Sequence, residues 1–186
     1  MSVRDAITAH YVAGRFEEGD RLLAEQGVAL PEHVRLECEG NRLFYERKLQ
    51  EAVYRYEAAI RLAPDYGIAR YQYLVGTQAE REQRFVDAFK RYQAAIGAEP
   101  TFVDAYVELG GLLVKADDLA GAAQCYRDAV RLDPADVGNH HNLRAVLSKL
   151  AQAEPERYRD ELAAADAAHQ EAAKRQPAKE LRAHRW

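Results

Sequence analysis

The apolar positions of this chain recur in a fixed phase. EAVYRYEAAIRLAPDYGIA from Glu51, DAFKRYQAAIGAEPTFVDA from Asp87 and GAAQCYRDAVRLDPADVGN from Gly121 align without gaps. Each carries alanine, then tyrosine four residues on, alanine three further and proline five further. The sets are Ala52, Tyr56, Ala59, Pro64; Ala88, Tyr92, Ala95, Pro100; and Ala122, Tyr126, Ala129, Pro134. Steps of four and three put these side chains on one face of a helix. Proline lacks an amide hydrogen and disfavours helical geometry in the residue before it, so the helices end at Ala63, Glu99 and Asp133. A glycine stands twelve residues before each leading alanine, at Gly40, Gly76 and Gly110. Glycine and alanine at a crossing let two antiparallel helices approach closely, and the tyrosine fills the wedge beside them.

This set of positions resembles the tetratricopeptide repeat, whose pattern has glycine in the first helix and alanine, an aromatic, alanine and proline in the second. The agreement covers about residues 33 to 136. It implies an all-α fold, a right-handed superhelical solenoid of antiparallel helix pairs with about four repeats and C-terminal capping helices. The divisions are a degenerate repeat over 1–31, regular repeats over 32–66, 67–102 and 103–136, capping helices over 137–175 and a mobile basic tail over 176–186.

The degenerate repeat has Gly19 where the alanine belongs and Leu23 where the aromatic belongs, and its first helix, near Val3 to Ala13, lacks the glycine. A terminal unit meets water on its outer face, which relaxes the pattern. Prolines 31, 64, 100 and 134 are 33, 36 and 34 residues apart, so the middle interval holds two extra residues around Asp65 to Ile68. They either bend a loop or lengthen the following helix. After Pro134, NHHNLRAVLSKLAQ continues the pattern weakly, with Arg144 in the glycine position, and a last helix starts near Pro155 with Tyr158 and Leu162 facing inward. The tail PAKELRAHRW has no apolar period and ends on Trp186, the sole tryptophan.

Composition adds exclusions. Thirty acidic against twenty-six basic residues leave a net charge of -4, too balanced to point to nucleic acid. The opening MSVRDAITAHYVAGRFEEGD lacks the apolar run of a signal peptide or membrane span, so the reading is a cytoplasmic protein without membrane insertion. Alanine- and arginine-rich usage suggests a bacterial source. Cys38 and Cys125 have no second ligand at metal-like spacing and read as buried free thiols. His140 and His141 point about 100° apart on a helix, and residues 144 and 145 are arginine and alanine, which leaves no helical ligand pair of the usual zinc kind. Gly110 and Gly111 lie mid-helix with no phosphate-loop lysine after them. Neither a catalytic group, a cofactor site nor a metal site is expected.

The resemblance implies instead a concave groove lined by the first helix of each pair, which takes a peptide or helix of another protein. Its groove positions are Glu37, Asn41 and Tyr45 in one repeat, Arg70, Tyr73, Thr77 and Arg81 in the next, and Asp104, Glu108 and Lys115 in the third. Family members that clamp a terminal carboxylate use a lysine, asparagines and basic residues there. Only Asn41 matches, while Glu37, Leu74, Asp104 and Glu108 replace the others, so that clamp is disfavoured. The function implied is a non-enzymatic adaptor or assembly factor, with a self-associating homo-oligomeric scaffold or a chaperone for secreted substrates as the alternatives.

Overall fold

The structure is a computed structural model and describes residues 1–175; the predicted basic tail lies outside the described residues. Among them the chain forms ten α-helices and no strand, an all-α helical-repeat fold. The helices are α1 (Val3–Val12), α2 (Phe16–Gln26), α3 (Glu32–Tyr45), α4 (Leu49–Leu62), α5 (Ala69–Arg81), α6 (Phe85–Ala98), α7 (Val103–Lys115), α8 (Leu119–Leu132), α9 (Val137–Ala153) and α10 (Pro155–Arg175). A 3₁₀ turn, Gly27–Ala29, follows α2. The chain divides into two compact units, unit 1 being Met1–Glu99 and unit 2 starting at Pro100.

In unit 1, α1 packs on α2 and α3, α3 on α4, and α5 on α6. Ala52, Tyr56, Ala59, Ala88, Tyr92 and Ala95 are all fully buried. A methyl group on Gly76 would come 2.7 Å from Tyr92 Cε1, and one on Gly40 would run into the Tyr56 ring. Only a bare Cα lets those rings lie flat against the partner helix. The first pair reaches the same contact by the reverse assignment, because the aromatic is Tyr11 on α1 and the glycine is Gly19 on α2, where a methyl group would strike the Tyr11 ring. Ile7, Tyr11 and Cys38 then form a small apolar cluster with Phe16, Leu22 and Leu23 around it.

The turn inside each of the first four pairs is one design used repeatedly. Gly14, Arg47, Gln83 and Asp117 all have positive φ, between 59° and 70°. The next amide closes the helix end in each case: Arg15 donates to the His10 carbonyl, Lys48 to Leu43, Arg84 to Ala79 and Asp118 to Leu113. This left-handed cap satisfies carbonyls that the helix end leaves open. The connection from α4 to α5, residues 63–68, has six residues where 99–102 and 133–136 have four. The two extra residues therefore enlarge the loop, and α5 starts only at Ala69, with Ile68 fully buried at its cap.

Unit 2 packs α7 on α8, α8 on α9 and α9 on α10. A methyl group on Gly110 would lie 2.8 Å from Tyr126 Cε1, as the repeat requires. Asp118 caps α8 by accepting from the Gly121 amide at 2.9 Å, and Asp136 caps α9 by accepting from Asn139 at 2.7 Å. Ala122, Ala123 and Tyr126 of α8, Leu143, Val146, Leu147 and Leu150 of α9, and Tyr158 and Ala165 of α10 form one apolar core. Leu162 packs partly buried against it.

Candidate functional site

The expected groove positions fall on the first helices of the pairs, and the structure sorts them into two kinds. Glu37, Asn41 and Arg70 are buried, at 3%, 1% and 2% exposure, and their polar atoms face inward partners. Tyr45, Tyr73, Thr77 and Glu108 are half-buried, while Arg81, Asp104 and Lys115 are exposed.

The buried three sit in a polar network within unit 1. Tyr66, carried on the enlarged α4–α5 loop, donates its hydroxyl hydrogen to Glu37 Oε2. His33 meets the Tyr66 ring edge-on at 4.8 Å, and Arg4 Nη1 of α1 donates to the Tyr66 hydroxyl at 3.4 Å while lying 3.7 Å from Glu37 Oε2. Burial pushes the Glu37 carboxyl above its ordinary value, and the Tyr66 bond and Arg4 charge offset this only in part. Asn41 donates to Thr8 Oγ1 at 3.1 Å and accepts from the Tyr56 hydroxyl at 2.9 Å. That bond ties a groove position to the repeat's packing tyrosine.

Among the described residues Arg70 is the largest fully buried side chain. Its Nε and Nη2 donate to the Tyr45 hydroxyl at 3.1 and 2.9 Å, and its Nη1 and Nη2 donate to the two Glu99 oxygens at 2.6 and 3.0 Å. Burial works against the guanidinium charge, but the bonds to Glu99 outweigh it and hold Arg70 above its ordinary value. A planar fork matched to a carboxylate is the geometry in which a buried arginine is stable.

The accessible positions lie on α5 and α7. Tyr73, Thr77 and Arg81 follow one another at steps of four on α5, a single stripe. The Tyr73 ring packs edge-on against Phe44 at 6.0 Å and tilted against Tyr92 at 6.2 Å, and Thr77 donates to the Leu74 carbonyl at 2.9 Å. On α7, Asp104 lies in the first turn and Lys115 in the last, the placement the helix dipole favours, with Glu108 between them. Arg4, Thr8, Tyr66 and Glu99 were absent from the groove positions read off the repeat, although the two-residue excess before α5 marks the loop that delivers Tyr66.

Other candidate chemistry is also placed. Cys38 is buried and Cys125 half-buried, and burial pushes their thiols up to about 12 and about 11, away from the reactive range. His140 is buried with Nε2 3.0 Å from the Pro134 carbonyl oxygen, whereas His141 is exposed. No helix among the described residues is long and apolar enough to cross a membrane.

A tetratricopeptide repeat family model matches residues 79–147, spanning α6 to α8 and much of α9. Over that stretch the chain carries tetratricopeptide repeats. Among curated protein sequences none gives a significant match. Solved structures with the same fold include a crystal structure of MamA, with a TM-score of 0.54 at 19% identity, covering 94% of this chain and 96% of that one. A second MamA crystal structure gives 0.53 at 17%, covering 98% and 96%. The MamA RS-1 ArsTM double mutant gives 0.52 at 20%, covering 92% and 93%. At these identities the likeness is one of fold. Tetratricopeptide repeats are scaffolds for interaction: the repeat supplies a surface, and particular side chains on it supply specificity.

Proposed function

We propose that this protein is a non-enzymatic interaction module that binds a segment of another protein on the exposed faces of its first helices. The observation that carries the reading is the α5 stripe Tyr73–Thr77–Arg81, an aromatic, a hydroxyl and an exposed cation in line. Aromatic and arginine side chains are the residue types on which binding energy concentrates. Behind the stripe, the buried Arg70–Tyr45–Glu99 cluster fixes α5 through bonds that leave its side chains little freedom. Such rigidity lowers the ordering cost of binding. On α7, Asp104, Glu108 and Lys115 offer both signs of charge to the same kind of ligand. The non-enzymatic part of the reading follows from the likeness to tetratricopeptide repeats, which are interaction scaffolds.

The test is affinity capture from native lysate with the wild-type chain, with Tyr73→Ala/Arg81→Glu, and with Lys90→Glu on α6 as a control. The partner retained by the wild type and by Lys90→Glu should be lost from the double variant. Equal capture by all three would sink the reading. Exposed Tyr54 and Leu62 on α4 and Phe85 and Val86 on α6 favour a second reading, self-association through the second helices. Light scattering over a concentration series, with Tyr54→Lys/Phe85→Lys as the comparison, decides between a monomeric binder and a scaffold.

A further inference from the structure

The histidine of α9 that has no ligand mate on its own helix acquires one from the next. His141 and His169 of α10 stand with ring centroids 5.9 Å apart and planes at 53°. His141 is exposed and His169 half-buried, so the space between them opens to solvent. Asp166 lies one turn from His169 on α10, with Oδ1 3.6 Å from Arg144 Nη1 of α9.

We infer that His141 and His169 form an open two-imidazole site for a divalent transition metal ion of the zinc class, completed by water and bordered by Asp166. With metal–nitrogen bonds of about 2.0–2.1 Å at a tetrahedral angle, two imidazole centroids sit roughly 5 Å apart. The observed 5.9 Å is therefore closed by a small side-chain rotation. Asp166 offsets the Arg144 charge and favours a cation over an anion. His140 takes no part, since its ring nitrogen lies against the Pro134 carbonyl. Among the described residues no group of three ligands encloses an ion, so the site is a surface chelate that pins α10 to α9 and not a buried structural centre.

An anion is the competing occupant. Arg144 Nε is buried without a hydrogen-bond acceptor, which is the feature a phosphate would use. The experiment titrates the full chain with zinc chloride at neutral pH and, separately, with inorganic phosphate. It follows the imidazole carbon-bound protons by NMR and the heat by calorimetry. The expected result is that His141 and His169 shift together with one zinc equivalent. His141→Ala and His169→Ala should each weaken zinc binding at least tenfold, and His33→Ala should leave it unchanged. His141 is exposed, so its variant keeps the fold. Zinc affinity unaltered in His141→Ala, imidazole signals unmoved by zinc, or a response to phosphate alone would each overturn the site.

Discussion

Two units made from the same repeat have chemically unlike interiors. Unit 2 joins α8, α9 and α10 through a continuous apolar core from Ala122 to Ala165 and, among the described residues, buries beside it only the polar side chains of Asn139 and His140, each against an uncharged backbone carbonyl. Unit 1 buries Glu37, Asn41 and Arg70 on its first helices and answers each with a polar partner: Tyr66, Thr8 and Tyr56, and Tyr45 and Glu99. The difference teaches what the repeat does and does not dictate. Glycine, alanine and tyrosine set how closely paired helices approach, and this is common to both units. The remaining inward positions of the first helices are free to be apolar or polar, provided that every polar group finds its partner. Apolar packing makes unit 2 tolerant in geometry, while the bonded network commits unit 1 to one arrangement.

The largest effect expected from breaking this contrast is at Ala88, which is fully buried in α6. Unit 1 already holds a buried carboxylate at Glu37, but Tyr66 and Arg4 are in place for that one. Ala88→Glu puts a second carboxylate where the repeat needs a methyl group, at a cost of several kcal/mol against a domain stability of about 5–15 kcal/mol. Circular dichroism should show the cooperative thermal transition of α5–α6 lost or lowered by more than about 10 °C. An unchanged melting temperature would refute the register.

Next in size is Leu147→Ala in unit 2. Leu147 is fully buried at the centre of the apolar core, and truncation there removes contacts that the surroundings replace only in part. The expected loss is about 2–5 kcal/mol, read by denaturant unfolding with amide exchange followed helix by helix. Loss of protection should centre on α8, α9 and α10 and leave the α3–α4 amides of unit 1 untouched.

The three regular pairs were legible in the sequence because their packing needs fixed residue types at fixed spacing, and Gly40–Tyr56, Gly76–Tyr92 and Gly110–Tyr126 meet as the pattern requires. The first pair was legible only as a degenerate copy. The physical requirement is a small residue opposite a ring, and Tyr11 over Gly19 meets it with the helices exchanged, which a search at fixed positions does not detect. What covers the expected groove positions was not legible, for a related reason. Periodicity says which face of α3 and α5 a residue occupies but not what covers it. Arg4, Tyr66 and Glu99 come from 33, 29 and 29 residues away to cover Glu37 and Arg70. His141 and His169 were likewise invisible as a pair, because neighbouring antiparallel helices bring them together across 28 residues.

The two units are also expected to respond oppositely to pH. Glu37 is raised above its ordinary 4.5 in the folded chain, so its contribution is complete below 4.5 and is lost as pH rises through the folded value. His169 is lowered from 6.5, so the unfolded chain takes up its proton first, and unit 2 loses stability as pH falls below 6.5. Amide exchange should show unit 1 weakening as pH rises from 4.5 and unit 2 weakening as pH falls from 6.5. Glu37→Gln should flatten the first trend, since a glutamine oxygen still accepts from Tyr66, and His169→Gln should flatten the second. A slope in unit 1 that persists in Glu37→Gln would assign the trend to another group.

The smallest predicted effect tests what the units share. Gly14, Arg47, Gln83 and Asp117 hold the same left-handed turn, yet only the first is the residue for which that conformation carries no side-chain penalty. Gln83 is exposed and its φ is 59°, so its side chain contributes little to set against the backbone cost. Gln83→Gly removes a penalty of about 1–2 kcal/mol and adds back about 0.5–1 kcal/mol of unfolded-chain entropy. The net is a stabilisation of roughly 0.5–1 kcal/mol, or a few degrees in melting temperature. Gly14→Gln, the reverse change at the equivalent turn, should destabilise by a similar amount because open space surrounds Gly14 and only the backbone conformation opposes the side chain. If both substitutions shift the melting temperature in the same direction, the four turns are not energetically equivalent, and their common φ reflects geometry imposed by the packed pairs.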